Sequence, residues 1–130
     1  MTYLLHPDHF ANVIGMSPRE RYEYFVKRAA DWGELWGLYQ DGWAQLGDGE
    51  EREHMPIWPH EEFARHYATG DWRKFEPKRI DLREWLESWT PRLIDEGRGV
   101  AVFPVRTGKC TTAAPDRLLH DLVEELEQLG

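Results

Sequence analysis

The sequence holds a single cysteine, Cys110, in 130 residues, so no intrachain disulfide can form and every site built on paired cysteines is excluded. Positive charge is scarce. Lys and Arg number 16 against 24 Asp and Glu, a formal net charge of -8. A protein that neutralises nucleic-acid phosphates needs the opposite balance. No apolar run approaches the roughly 20 residues that span a bilayer. Met1 to Gly15 lacks the basic start and apolar run of an export signal. No phosphate-cradling loop is present, because Gly47-Asp48-Gly49 lacks the following Lys and the strand-to-helix setting. Together these absences predict a reduced, cytoplasmic protein without a membrane or nucleic-acid partner.

What remains is ample for one domain over residues 1–130. Hydrophobic residues make up 41% and charged residues 31%. A chain of this size buries roughly two thirds of the surface it exposes when unfolded. The clearest helix start is Ser17-Pro18-Arg19-Glu20, which has a capping Ser, a Pro suited to the first turn and a Glu that closes a capping box. Tyr22, Phe25, Val26 and Ala29 follow at helical spacing, and Gly33 stops the helix. A shorter helix is expected over Pro7 to Ile14, with Asp8 a natural cap.

A β region follows. Glu34 to Gln40 reads as a strand, Asp41-Gly42 as a two-residue turn with Gln40 opposite Trp43, and Trp43 to Leu46 as the return. A third strand is expected over Arg52 to Trp58. Pro59 opens a helix that Gly70 ends. Phe75 to Ile80 is a short strand, and Asp81 caps a helix carrying Leu82, Trp85, Leu86, Trp89 and Leu93, which Pro91 should kink or restart. Val100 to Val105 reads as the most buried strand. Arg106-Thr107-Gly108-Lys109 turns it into a partner at Cys110 to Ala113, and Pro115 starts a last amphipathic helix. The predicted class is α+β. A mostly antiparallel sheet of about five to six strands, a three-strand meander plus a C-terminal hairpin, is packed by four to five helices.

Several segments carry a resemblance. They are Arg21-Tyr22-Glu23-Tyr24-Phe25-Val26, Trp32 with Glu34-Leu35-Trp36-Gly37-Leu38, Gly42-Trp43-Ala44, Ile57-Trp58-Pro59-His60-Glu61-Glu62-Phe63-Ala64, Glu84-Trp85-Leu86 and Ala101-Val102-Phe103-Pro104. From Arg21 through Val105 the chain resembles a bacterial family, the domain-of-unknown-function 2750 family. The resemblance implies a small α+β domain and brings no catalytic residue with it.

Seven tryptophans need a reason. Trp85 and Trp89 sit among leucines at helical spacing and read as core. Trp36 and Trp43 are expected on one face of the predicted hairpin, in diagonal contact, where an open face would be rich in interface residue types. His60 follows Trp58-Pro59 at a strand-to-helix junction, a place that suits anions. Trp36, Trp43, Trp58 and His60 are therefore the expected contact residues of a non-catalytic module that recognises a protein partner, with a homodimer among the options. The competing expectation is a small metal-dependent or acid/base enzyme using His60, Glu62 and His66, with His54 or the N-terminal His6, Asp8 and His9 as further donors. Histidines six apart do not share a helix face, which weakens that alternative. No cofactor is expected. Cys110 reads as a small buried strand residue, and Arg73, Lys74, Lys78, Arg79 and Arg83 as a solvated charged segment.

Overall fold

The computed structural model describes residues 6–47, 53–106 and 110–129. Local signals in the helices hold well. Helix α1 spans Pro7–Ile14 and α2 spans Pro18–Trp32. Ser17 Oγ accepts the Glu20 N–H at 3.2 Å while the Glu20 carboxylate accepts the Ser17 N–H at 3.0 Å, and Gly33 ends the helix at φ 71°. In α1 the cap is His6, whose Nδ1 accepts the Asp8 N–H, so Asp8 lies in the first turn and is not the cap.

Strands β1 (Glu34–Tyr39), β2 (Leu46–Gly47) and β3 (Glu53–Ile57) follow, then helix α3 (Glu61–Tyr67). That helix stops at Ala68, and Gly70 opens a 3₁₀ turn over Gly70–Trp72. Strand β4 is Glu76–Asp81. Asp81 then caps α4 (Leu82–Glu84), which widens into a π-turn over Trp85–Trp89 before resuming as α5 (Thr90–Asp95). The π-turn is how the helix meets Pro91. The Thr90 N–H and hydroxyl both donate to the Trp85 carbonyl, so bonding shifts register just ahead of the residue that has no N–H. Strands β5 (Gly99–Val102) and β6 (Thr111–Ala113) and helix α6 (Pro115–Leu129) complete the chain.

The class is α+β, but the sheet is not the single antiparallel one expected. The described residues form two sheets, β1-β4 and β2-β3-β5-β6. Strand β1 does not join a meander. It pairs antiparallel with β4, Glu34 opposite Asp81 through Tyr39 opposite Glu76. Strands β3 and β5 are parallel, His54 opposite Gly99 through Ile57 opposite Val102. Parallel pairing needs a long crossover, and α3 through α5 supply it. Both partners are buried on both faces apart from Glu53, as a covered parallel pair requires. The sheets meet where Trp36 and Trp58 exchange two main-chain bonds of 2.8 Å. The expected turn at 106–109 and the start of the third strand at Arg52 lie outside the described residues, apart from Arg106.

One corner is held unusually tightly. Phe103 has φ 56°, a conformation that costs a bulky residue of order 1–3 kcal/mol. Its N–H donates to the Ile57 carbonyl at 2.8 Å, and its own carbonyl accepts from Arg21 Nε at 3.1 Å. Next door, Trp58 Nε1 donates to the Pro104 carbonyl at 2.9 Å. Arg21 also donates to the Met16 carbonyl and is buried. Arg21, Trp58 and Phe103-Pro104 thus fix the end of β5 against α2.

Candidate functional site

Three of the four expected contact residues are withdrawn from solvent. Trp58 and His60 are 0% and 1% exposed. His60 Nδ1 accepts the Glu62 N–H at 3.1 Å to cap α3, with its ring edge-on to Trp32 and Phe63. Trp36 is 8% exposed and donates from Nε1 to Glu34 at 3.0 Å, and Glu34 is held by Arg79 at 2.8 Å. As placed, Trp36, Trp58 and His60 offer a partner no surface.

Trp43 is different, and it is not on the face expected. Tyr39, not Gln40, lies opposite Trp43, because the turn holds three residues, Gln40 to Gly42, with Asp41 at φ 54°. A one-residue slip sends a side chain to the other side of its strand. Trp43 therefore lies over Gly37 and beside Tyr39 at 5.3 Å, away from the Trp36 side. A Cβ at Gly37 would stand 2.9 Å from the Trp43 ring, so the missing side chain is what admits the indole. Lys78, opposite Gly37 on β4, puts its ammonium 4.1 Å from the Tyr39 ring centre and 5.4 Å from that of Trp43. Trp89 meets Trp43 edge-on at 5.0 Å and stacks on Trp85 at 5.8 Å, with the Arg92 guanidinium 5.3 Å above it. The result is a row of aromatic rings, Tyr39 and Trp43 half-buried and Trp89 and Trp85 buried, flanked by two exposed cations. Sequence reasoning missed Tyr39 and left Lys78 in a solvated charged segment, while its reading of Trp89 as core holds. The legible signal was Gly37, a strand glycine two residues from Tyr39 that marks a close approach.

The alternative donors do not converge. His66 contacts the Arg106 guanidinium through Nδ1 and Nε2 at 3.1 and 3.0 Å and meets Phe10 edge-on. Burial first, and the Arg106 charge second, push its pKa below the ordinary imidazole value. His9 Nε2 bonds the Tyr24 hydroxyl at 2.9 Å, and His54 is buried against the Gly99 backbone. Among the described residues, no group of three or more His, Cys, Asp or Glu could hold a metal ion. Cys110 is half-buried just before β6, where burial raises its thiol pKa and Arg21 opposes the rise. Of the basic segment, Arg73 bonds the Gly70 carbonyl and Arg79 pairs with Glu34 and Asp81, so Lys78 is the member that joins the aromatic row. Among the described residues, no helix is long and apolar enough to cross a membrane.

Away from the aromatic row, a concavity of about 870 Å³ opens between α2, β6 and α6. Tyr22 and Val26 lie on one side, Thr112 and Ala113 at the strand, and Asp121 and Glu125 on the other side. The Tyr22 hydroxyl donates to the Asp121 carboxylate, which also pairs with Arg117 at 3.4 Å. Burial and that bond raise the Tyr22 pKa far above its ordinary value, so the phenol stays protonated.

Residues 22–122 match the model of a family described as Protein of unknown function (DUF2750). The chain belongs to this family. No curated protein and no solved structure matches it. The DUF2750 region opens at Tyr22, in the groove, and takes in the whole aromatic row, while α1 lies before it.

Proposed function

We propose that this DUF2750 protein is a cytoplasmic, non-catalytic interaction module that recognises a protein partner through its Trp43 surface. The observation that carries the reading is the aromatic row itself. Tyr39 and Trp43 form a half-buried patch that packs on the buried Trp89, with Lys78 and Arg92 lying over the rings. Trp, Tyr and Arg are the residue types that dominate interface energetics, and cations already resting on aromatic faces lose little freedom on binding. Two cations beside rings, on a chain of net charge -8, favour a partner that presents carboxylates next to apolar side chains. Trp36, Trp58 and His60 then serve the reading indirectly, Trp36 and Trp58 by joining β1 to the end of β3 and His60 by capping α3.

The test is capture of partners from source-cell extract by the wild-type chain and by a Lys78→Glu, Arg92→Glu double variant. Both side chains are exposed, so the variant should melt within a few degrees of wild type. A partner held by wild type and by a Lys27→Glu control, but lost by the double variant, is the expected outcome. Retention of every partner by the double variant would contradict the reading. If the wild type is instead a dimer that the same variant dissolves, the partner is a second copy.

A further inference from the structure

The groove beside β6 shares no residue with the Trp43 surface, and its geometry concerns main chain. Strand β6 pairs with β5 and ends the four-stranded sheet. The direction of its free groups follows from the ladder. The Phe103 N–H points to β3, bonding Ile57, so alternation turns Val100 and Val102 toward β6. Val102 opposes Thr111 and Val100 opposes Ala113, and these are the bonded pairs. Thr112, between them, directs its N–H and C=O away from the sheet, at the strand that forms one side of the groove. Thr111 is tied down by its hydroxyl, which donates to the Pro18 carbonyl at 3.1 Å, so the edge is fixed against α2.

We infer that the groove takes an extended, cationic peptide segment, which adds to β6 as a fifth strand of this sheet. Backbone pairing to Thr112 supplies the register, and alternate side chains of the segment enter between α2 and α6. The small Ala113 and Ala114 leave room there, over the apolar Val26 and the Tyr22 ring. Charge selects the side chains. Arg19 and Glu23 pair at 3.7 Å and Arg117 pairs with Asp121, so the other charges of the lining are Lys27, Glu124 and Glu125. His120 is the neighbour of Glu124 at 3.4 Å, and the lining carries four carboxylates against three cations, an excess of the same sign as the whole chain's. A Lys or Arg side chain therefore fits where a Glu or Asp would be repelled.

The probe is a phage-displayed random decapeptide library panned on the full-length protein. Enriched peptides should alternate Lys or Arg with apolar residues and lack a central Pro. The decisive variant is Thr112→Pro. Its N–H lies outside the β5 ladder, so proline removes the donor and obstructs the edge while sparing the native pairing. Binding of the enriched peptides should fall about tenfold or more, the value of one or two lost main-chain bonds. Glu125→Lys should weaken cationic peptides by a comparable factor. Should Thr112→Pro fail to fold, the Thr112 amide of the wild type decides, since its hydrogen exchange must slow when peptide is added. Peptides that bind Thr112→Pro as well as wild type, that leave the Thr112 amide unprotected, or that carry no cationic alternation would overturn the inference, as would a library that enriches nothing. Binding lost in the Lys78→Glu, Arg92→Glu variant and kept in Thr112→Pro would place the peptide on the Trp43 surface instead.

Discussion

Replacing Gly37 by alanine tests the placement of Trp43 more sharply than changing the tryptophan itself. The backbone of Gly37 has no left-handed torsion, so alanine is conformationally acceptable there. It should even gain about 0.4–1 kcal/mol by restricting the unfolded chain. Against this stands the new methyl group, 2.9 Å from Trp43 Cζ3, 3.0 Å from Cε3 and 3.4 Å from Met55 Cε. Carbon atoms prefer about 3.5–4.0 Å, so the indole must retreat by about half an ångström. It has little room, with Tyr39 on one side, Trp89 on another and Lys78 over its face. Overpacking of this kind costs about 1–3 kcal/mol. The difference is a net loss of about 1–2 kcal/mol. At an unfolding entropy of about 2.1 cal/mol/K per residue, that lowers Tm by roughly 4–8 °C. Circular dichroism melting reads it directly. In a Trp43→Leu background the clash is gone, and Gly37→Ala should be neutral or stabilising. A Tm that rises in the wild-type background, or an equal loss in both backgrounds, would refute this packing.

Other consequences are as concrete. Arg21→Lys keeps the charge but cannot reach both the Met16 and Phe103 carbonyls, and should lose about 2–4 kcal/mol in urea titrations, while Tyr22→Phe, on the same helix, loses less. Ser17→Ala removes the oxygen that accepts the Glu20 N–H and should cost about 1 kcal/mol by the same assay. His66 has a folded pKa below its ordinary 6.5, so protonation favours the unfolded chain. Its contribution is complete above pH 6.5 and declines as pH falls below that value toward the folded pKa; His66→Gln should flatten Tm against pH in that window.

What was legible in the sequence was whatever is decided locally. The Ser17 capping box, the Gly33 stop and the Asp81 cap each depend on residues within one helical turn, and all three hold. Strand β4 was also readable, as was the buried β5 from its apolar run, although β5 ends at Val102 and not at Val105 because Phe103 turns to φ 56°. Pairing was not. Nothing in residues 53–57 announces that their partner lies some forty residues away and runs parallel, because that choice is made by the crossover that covers both strands. The Trp43 turn failed for a subtler reason. Asp41-Gly42 supports a two-residue loop by its torsional preferences, but a three-residue loop lets the indole settle on Gly37, and that burial outweighs the turn preference. The misplaced register is also why Trp36 and Trp43 were put on one face. Trp58 and His60 looked like surface features because they flank a proline at a junction. In the fold that junction is the core, where one anchors Pro104 and the other caps α3.

The central claim, that partners meet the protein at the Trp43 surface, is tested most directly by site-specific photo-cross-linking in living cells. A photoreactive residue at exposed position Arg92 lies at the patch, and one at exposed Glu127 on α6 serves as control. The account predicts a discrete cross-linked species from position 92, absent from 127 and lost when Lys78 is changed to Glu. Equal adducts from both positions, or a species that survives Lys78→Glu unchanged, would contradict it.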